Sequence, residues 1–320
     1  MAKYKVLIAD SRHPNYNEEK AVLAKIDAEV IVDRSDDEDQ LVGAVAGVDG
    51  VIVNLAPITA KVIAAMDRCK CVCRFGVGCD NIDAAALSQK GIALANVPDY
   101  CGEDVSDHAL ALLMDCVRKI SRKDRLIRQG QWNLTTIQDV FRISGKTFGF
   151  VGYGMIAKVF HRKLAGFDLA RVLVADPFVP AEAAKAAGAE LVELDTLCAE
   201  ADFISIHAPL LDSTRGLIGP KQLGLMKPTT IIINTSRGPL IDEAALIDAL
   251  KAGKIACAGL DVFATEPLPA DSELRTIENV TLTDHASWYS VESMAELKTK
   301  AAQNIVDALT KGQPTYPVKI

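Results

Sequence analysis

The sequence lacks both a long apolar segment and an export signal. No apolar run in the 320 residues approaches the roughly 20 residues that a membrane span requires. The first residues, MAKYKVLIAD, have no basic region followed by an apolar one and are typical of a β-strand. We therefore predict a cytoplasmic protein with no membrane association.

Positively charged residues are also fewer than negatively charged ones. Lysine and arginine total 35 against 42 aspartate and glutamate residues, which gives a net charge of −7. Binding to nucleic acid needs a surplus of clustered cations, so a nucleic-acid partner is not expected. The one basic run, RKISRKDRLIR at 118–128, is interpreted as the solvated face of a helix.

The eight cysteines are too few for a disulfide scaffold in a chain of 320 residues without an export signal. Cys69, Cys71 and Cys73 alternate, which predicts side chains on one face of a strand. That spacing offers no closed set of four ligands, so we interpret them as small core residues and predict no metal.

What the sequence does contain is a repeated alternation of strand-like and helix-like segments, which indicates parallel sheets. A chain of this length favours two domains. The alternation is interrupted by a predicted helix from Gly102 to about Arg128, resumes at TFGFVGYG, and ends in a helical run after residue 290. We interpret that last run as returning to the first domain. The prediction is α/β: two doubly wound parallel-sheet domains, 1–100 plus 290–320 and 101–289, with the active site in the cleft between them.

The segment FGFVGYGMIA carries a dinucleotide-binding fingerprint. Gly152 and Gly154 lie between a predicted strand and a predicted helix, with Ala157 in the third position. The first glycine permits a tight turn, and the second lets the backbone approach a pyrophosphate at the helix N-terminus.

The residue that ends the next strand indicates which dinucleotide is bound. Asp176 follows Gly152 by 176 − 152 = 24 residues, near the expected position of a carboxylate that accepts bonds from a ribose hydroxyl. No arginine follows it to balance a 2′-phosphate, which favours NAD over NADP. The alternative is that Asp176 only caps a loop before Pro177.

Three ionisable residues each follow a predicted strand of the second domain: Arg237, Glu266 and His285. Ligands of α/β sheets bind beyond the carboxyl ends of the strands, so these side chains can converge on one acid–base centre. Individually they could instead be a surface cation, a loop carboxylate and a strand-end histidine.

Successive blocks of the sequence resemble the D-isomer-specific 2-hydroxyacid dehydrogenases. The blocks are RFGVGCDNID, NVPDYCGEDVSDHALAL, GFVGYGMIA, HAPLLDSTRGLI, INTSRGPLIDEAAL, GLDVFATEPLP and DHASWYS, in that order. The last block, with Trp288 three residues after His285, is similar to the branch that contains the C-terminal-binding protein corepressors. The resemblance implies a flavodoxin-like substrate domain and a Rossmann NAD-binding domain.

The resemblance also implies the reaction and the roles of the site residues. His285 would exchange a proton with the oxygen of a 2-keto or 2-hydroxy acid, and Glu266 would orient the imidazole. Arg237 would bind the substrate carboxylate or polarise the keto oxygen. The implied substrate residues are Asn54, Arg74, Val77, Gly78 and Trp288. The implied cofactor residues are Val105, Gly152, Gly154, Met155, Ile156, Asp176, His207, Ala208, Pro209, Thr214, Thr235, Ser236 and Asp261.

Two functions remain open at this point. One is an NAD-dependent dehydrogenase of a small 2-hydroxy acid, and the other is an NAD(H)-sensing corepressor-like binding protein. Because the chain has no long low-complexity tail, we favour the enzyme. The helix after Gly102 and the arm around Trp132 resemble the family's dimer-forming region and predict a homodimer. We expect no regulatory domain after Ile320, unlike in many phosphoglycerate dehydrogenases of the family.

The residue before the predicted catalytic histidine departs from the family. Asp284 stands where the family usually has proline, so we expect a less rigid loop. We expect its side chain to point outward, since a second buried charge would need a partner of its own.

Overall fold

A computed structural model describes residues 2–10, 13–132 and 139–319 of the chain. It divides into two compact units, Met1–Cys101 with Ser290–Ile320, and Gly102–Tyr289. Within the described ranges, no helix combines the length and the apolar character needed to cross a bilayer. The predicted cytoplasmic location stays a prediction.

Every strand pair of the two sheets is parallel. The strands are β1 Tyr4–Ala9, β2 Ala28–Asp33, β3 Gly50–Val53, β4 Cys71–Arg74, β5 Ala93–Ala95, β6 Thr147–Val151, β7 Arg171–Ala175, β8 Glu190–Leu191, β9 Phe203–Ile206, β10 Ile231–Asn234, β11 Cys257–Leu260 and β12 Val280–Leu282.

Helices connect the strands, as parallel pairing requires. They are α1 Asn17–Leu23, α2 Glu38–Ala44, α3 Ala60–Ala64, α4 Ala84–Gln89, α5 Gly102–Arg118, α6 Ile120–Arg128, α7 Met155–Lys163, α8 Ala181–Ala186, α9 Leu194–Glu200, α10 Pro220–Leu225, α11 Glu243–Lys251 and α12 Val291–Lys311.

The first unit is a five-stranded sheet in the order β2-β1-β3-β4-β5. This is the flavodoxin-like order, so that prediction is confirmed. Side-chain caps fix where α2, α3 and α4 begin: Asp37, Thr59 and Asp83 each accept the N–H of the residue three positions on. A cap of this kind stabilises a helix by about 1 kcal/mol.

The last helix of the chain completes the first unit. Helix α12 packs against α1, β3 and β4, and it buries Leu297, Ala301 and Ile305. Its Lys298 is also buried and donates to Glu18 of α1, with Glu19 Oε2 3.5 Å away.

The second unit is a seven-stranded sheet in the order β12-β11-β10-β9-β6-β7-β8. The chain runs from β6 outward to β8 and then resumes at β9 on the other side of β6, which is the Rossmann arrangement. Apolar strands buried on both faces form its core, as parallel sheets require. The predicted fold class is confirmed for both units.

The single helix predicted from Gly102 to about Arg128 is wrong in one respect. The helix is interrupted at Lys119, which adopts a left-handed conformation with φ +57°, and α6 follows as a separate helix. Asp115 supports the break, because its carboxylate accepts the Ser121 N–H at 2.7 Å in the first turn of α6. No glycine or proline occurs at the break, so apolar periodicity alone predicts one continuous helix.

Candidate active site

The glycine turn after β6 sits at the point where the strand order of the second sheet reverses. Gly152 has φ +83°, and a Cβ atom there would lie 2.6 Å from the backbone nitrogen of Ala208. Gly154 is the N-cap residue of α7, and a Cβ atom there would meet no described heavy atom within 4 Å. The first glycine is therefore needed for close backbone packing, while the second leaves space in front of a helix N-terminus.

Asp176 is fixed beside this turn at the end of β7. Its Oδ2 atom accepts the Tyr153 N–H at 2.8 Å, and its Oδ1 atom accepts the Phe178 N–H at 2.8 Å. Each oxygen has one further lone pair, so the carboxylate can still accept a bond from a ligand hydroxyl.

The loop after β9 packs against the same turn and is bonded to the loop after β10. Ser236 Oγ donates to the Ala208 carbonyl at 2.7 Å, and Thr214 Oγ1 donates to the Pro209 carbonyl at 2.7 Å. The Thr235 hydroxyl is buried and has no hydrogen-bond partner among the described residues.

The residues present fit a dinucleotide. The space at Gly154 and the first turn of α7, with Met155 and Ile156, would receive a pyrophosphate. A bound dinucleotide would also supply the partner that Thr235 lacks within the described protein. Val105 lies buried on α5 and leaves little surface for a ligand.

His207 stands at the end of β9 as a neutral residue. Burial lowers its pKa to about 3, and its Nε2 atom lies 2.8 Å from Ser205 Oγ. It can pack against a ligand but cannot carry a positive charge near neutral pH.

His285 and Glu266 form the pair expected from the sequence. The imidazole Nδ1 atom lies 2.6 Å from Glu266 Oε2, and Glu266 Oε1 accepts the Phe263 N–H at 3.0 Å. Burial raises the pKa of Glu266, but its bonds to His285 and Phe263 and the charges of His285 and Arg237 outweigh this and lower the pKa. With Nδ1 engaged by a carboxylate, Nε2 is the nitrogen left for proton exchange with a ligand.

Arg237 is brought to this pair by a close packing of two loops. A Cβ atom at Gly238 would lie 1.9 Å from the backbone carbon of Phe263, so only glycine allows the turn after β10 to reach the loop of Glu266. Asn234 Nδ2 donates to the Arg237 carbonyl at 2.9 Å and fixes the turn. The structure therefore brings Arg237, Glu266 and His285 together.

The loop that carries His285 depends on Asp261, whose side chain is fully buried. Asp261 accepts the Thr283 hydroxyl at 2.6 Å and the N–H groups of Ala286 and Ser287, each at 3.0 Å. Its backbone carbonyl accepts the His285 N–H at 2.9 Å, while His285 is held at φ +57°. These contacts show Asp261 as a support for the histidine loop; its predicted contact with the dinucleotide stays a prediction.

Two further supports of that loop were not found from the sequence. Thr283 bonds to Asp261, and His108 Nε2 on α5 lies 2.9 Å from Thr283 Oγ1. His108 precedes Thr283 by 175 positions, and no local pattern links residues so far apart. Asp284 is exposed, as expected.

The residues predicted for the substrate in the first unit lie at the carboxyl edge of its sheet. Asn54 follows β3, Arg74 ends β4, and Val77 and Gly78 follow in the next loop. Gly76 has φ +133°, and the Arg74 guanidinium occupies the space where its Cβ atom would be.

The carbonyl groups of the loop after β4 accept hydrogen bonds from the segment after β5. The Val97 N–H donates to the Gly76 carbonyl at 2.9 Å, and Asn96 Nδ2 donates to the Val77 carbonyl at 2.7 Å. Trp288, the remaining predicted substrate residue, lies in the second unit with its ring 5.7 Å from that of Tyr289.

Comparison with known proteins relates this geometry to one family. A family model described as the D-isomer specific 2-hydroxyacid dehydrogenase, NAD binding domain, matches residues 110–287. The chain is 38% identical to the glyoxylate reductase of Korarchaeum cryptofilum over 287 residues, which cover 89% of this chain and 83% of that protein.

A second relative is longer than this chain. The D-3-phosphoglycerate dehydrogenase of Mycobacterium tuberculosis is 39% identical over 307 residues, or 95% of this chain, and the match spans 56% of that protein. Among solved structures, an NADPH-dependent glyoxylate/hydroxypyruvate reductase of Sinorhizobium meliloti, in complex with NADP and malonate, superposes with a TM-score of 0.87 at 26% identity. That superposition covers 99% of this chain and 97% of the other.

Proposed function

Because the chain belongs to the D-isomer specific 2-hydroxyacid dehydrogenase family, we propose that it interconverts a small 2-keto acid and its D-2-hydroxy acid with NAD. The family confirms the predicted oxidoreductase class and the predicted NAD-binding domain. The observation that carries the finer proposal is the 2.6 Å bond between His285 and Glu266, with Arg237 beside it.

The three residues divide the work of the reaction. When bound, the dinucleotide supplies or accepts the two electrons that convert the keto acid into the hydroxy acid. His285 Nε2 delivers a proton to the substrate oxygen during reduction and removes it during oxidation. Glu266 orients the imidazole and favours its charged form, while the guanidinium of Arg237 pairs with the substrate carboxylate.

We propose that NAD is held by the residues around the glycine turn and the loops after β9 and β10. Asp176 would accept a ribose hydroxyl and repel a 2′-phosphate, which favours NADH over NADPH. The Sinorhizobium reductase binds NADP, so this preference distinguishes the present chain from that relative.

We propose that the substrate is bound by Asn54, Arg74, Val77 and Gly78, and that Trp288 contacts its side chain. Glycines near Val77 allow a carboxylate to approach the backbone closely. Relatives named as glyoxylate reductases support a substrate with a short side chain.

The alternative function, an NAD(H)-sensing corepressor-like binding protein, is less well supported. The relatives described above are reductases and dehydrogenases, which do not favour it. The predicted branch therefore stays a prediction.

We also propose that the protein is a homodimer. Ile120 and Ile127 of α6 and the neighbouring Trp132 are 57%, 51% and 89% exposed, which is unusual for large apolar side chains in one segment. The remainder of the predicted arm, residues 133–138, lies outside the described residues.

A panel of keto acids tests the proposed activity. Glyoxylate, hydroxypyruvate, pyruvate and branched keto acids would be assayed with NADH and with NADPH, using the wild type and His285→Asn. We expect turnover of at least one acid with preference for NADH. In His285→Asn, kcat should fall by about 100-fold or more while the Kd for NADH changes little.

His161→Asn is the matched control, because it removes an imidazole that bonds to Tyr153 and not to Glu266. Its kcat should stay within a few-fold of the wild type. Wild-type kcat in His285→Asn would rule out the proposed proton carrier, and inactivity of the wild type towards the whole panel would refute the proposed reaction.

A further inference from the structure

Asp10 is a buried residue whose carboxylate accepts three hydrogen bonds from the loop after β3. It follows β1 with φ +49° and is 2% exposed. Its Oδ1 atom accepts the Asn54 N–H at 2.7 Å, and its Oδ2 atom accepts the N–H groups of Leu55 at 2.6 Å and Ala56 at 2.7 Å. One side chain thus binds three consecutive backbone donors.

This contact lies at the edge of the sheet where ligands of such folds bind. Strands β1 and β3 are neighbours, and the chain leaves them towards opposite sides of the sheet, so the crevice at their carboxyl ends is the topological switch point of the first unit. In open α/β sheets this crevice is where a ligand binds, and successive N–H groups form a site for anions. Here the carboxylate of Asp10 fills that site from within the protein.

The carbonyl side of the same loop is fixed as well. Asn81 Nδ2 donates to the Asn54 carbonyl at 3.2 Å and to the Ala56 carbonyl at 2.8 Å. The backbone of residues 54–56 is therefore held between a carboxylate and an amide. Both contacts act on the backbone that carries the Asn54 side chain.

We propose that Asp10 is a positioning residue that acts as an internal anion, fixing residues 54–56 so that Asn54 meets the 2-keto acid. This inference rests on the proposed function, since it takes Asn54 as a substrate residue. Hydrogen bonds to an ionised acceptor are roughly twice as strong as neutral ones, so a neutral side chain at this position holds the loop less firmly.

The conformation of Asp10 provides a direct way to test the anion. Glycine readily adopts φ +49°, so Asp10→Gly keeps the backbone and removes only the side chain. Acetate has the shape and charge of the missing group and can enter the space, whereas acetamide has the shape without the charge.

The experiment measures kcat, KM for the best keto acid and the Kd for NADH in the wild type, Asp10→Gly and Asp10→Asn. In Asp10→Gly we expect KM to rise by about 10- to 100-fold, because a displaced substrate contact costs that much. The Kd for NADH should not change. Acetate should bring KM back to within a few-fold of the wild type, acetamide at the same concentration should not, and Asp10→Asn should lie between.

Asp33→Gly is the matched control. Asp33 ends β2 at the same sheet edge, and its side chain accepts the Ser35 N–H at 2.9 Å. Its backbone carbonyl accepts the Asp10 N–H at 2.8 Å, and glycine keeps that carbonyl, so the variant removes only a neighbouring carboxylate. Its KM should match the wild type and should not respond to acetate beyond the competition seen in the wild type.

The outcomes separate this inference from the proposed function. An active wild type with unchanged KM in Asp10→Gly, or a raised KM that acetate and acetamide affect equally, overturns the role of Asp10 and leaves the function standing. If the wild type is inactive towards the whole panel, the proposed function fails. The anion site is then tested by the melting temperature of Asp10→Gly, which acetate should raise more than acetamide, and an equal effect of both overturns it.

Discussion

Glu266 is the residue whose charge most directly controls the proposed chemistry. Its pKa lies below the usual value, because bonds to His285 and Phe263 and nearby positive charge outweigh the effect of burial. The carboxylate is therefore ionised throughout the neutral range. Glu266 stops acting as an ionised acceptor for His285 only as the pH falls through this lowered pKa.

Replacing Glu266 with glutamine should change the pH profile as well as the rate. A neutral amide stabilises positive charge on its neighbour less than a carboxylate does, so the fall in kcat/KM for reduction at rising pH should begin at lower pH than in the wild type. Steady-state rates between pH 5 and 9 would show this shift.

Glu243→Gln serves as the control for this measurement. Glu243 accepts the Ala264 N–H at 3.0 Å and therefore supports the same loop without contacting the imidazole. If both variants shift the profile equally, the effect comes from the loop and not from the charge beside His285.

The residues of the site differ in how visible they are from the sequence. Arg237, Glu266 and His285 each follow an apolar strand, and that position alone marks them as candidates. Asp10 also follows a strand, but its partners lie 44 to 46 residues away, and no spacing rule connects them. Contacts of this range become visible only when the strand order is known.

Among the elements, the turn between β6 and α7 allows the sharpest test, because its two glycines have different surroundings. Gly152→Ala would force a Cβ atom against the backbone at Ala208, whereas Gly154→Ala would project into open space. The first variant should lower the free energy of unfolding by about 2 kcal/mol or more, and the second should change it by less than about 0.5 kcal/mol.

Both variants should nevertheless bind NADH at least about tenfold more weakly, because backbone approach to the pyrophosphate requires both glycines. Chemical denaturation and fluorescence titration with NADH measure the two effects separately. A Gly154→Ala protein with wild-type affinity would show that the dinucleotide does not approach this turn closely.

Secondary structure can be predicted from the sequence where the apolar pattern is periodic. The prediction fails where a single residue interrupts that period. Buried strands such as β10, with the sequence IIIN, are recognisable because both faces must be apolar. The break at Lys119 was not, since a left-handed lysine held by Asp115 has no compositional signal. The Asp10 contact belongs to the same class of features, which local patterns do not encode.

At the scale of the whole molecule, the proposed homodimer predicts a mass in solution of twice 34.3 kDa. Light scattering on the wild type and on Ile127→Asp measures it. The charged variant should shift the mass towards that of a single chain, because a charge buried in an apolar interface is costly.

Phe178→Ser provides the comparison, since Phe178 is 87% exposed and lies outside the segment from α6 to Trp132. This variant should keep the wild-type mass. A wild type that scatters as a single chain at micromolar concentration would refute the dimer.

The discontinuous first unit has a consequence for the order in which the protein is made. Domains generally fold as units, and the N-terminal one usually folds first during synthesis. Here the first sheet is translated before the second unit, yet α12 and the buried Lys298 that pairs with Glu18 and Glu19 are translated after it. The second unit is complete once Tyr289 has emerged, so the later-made unit can finish folding while the earlier one still waits for its final helix.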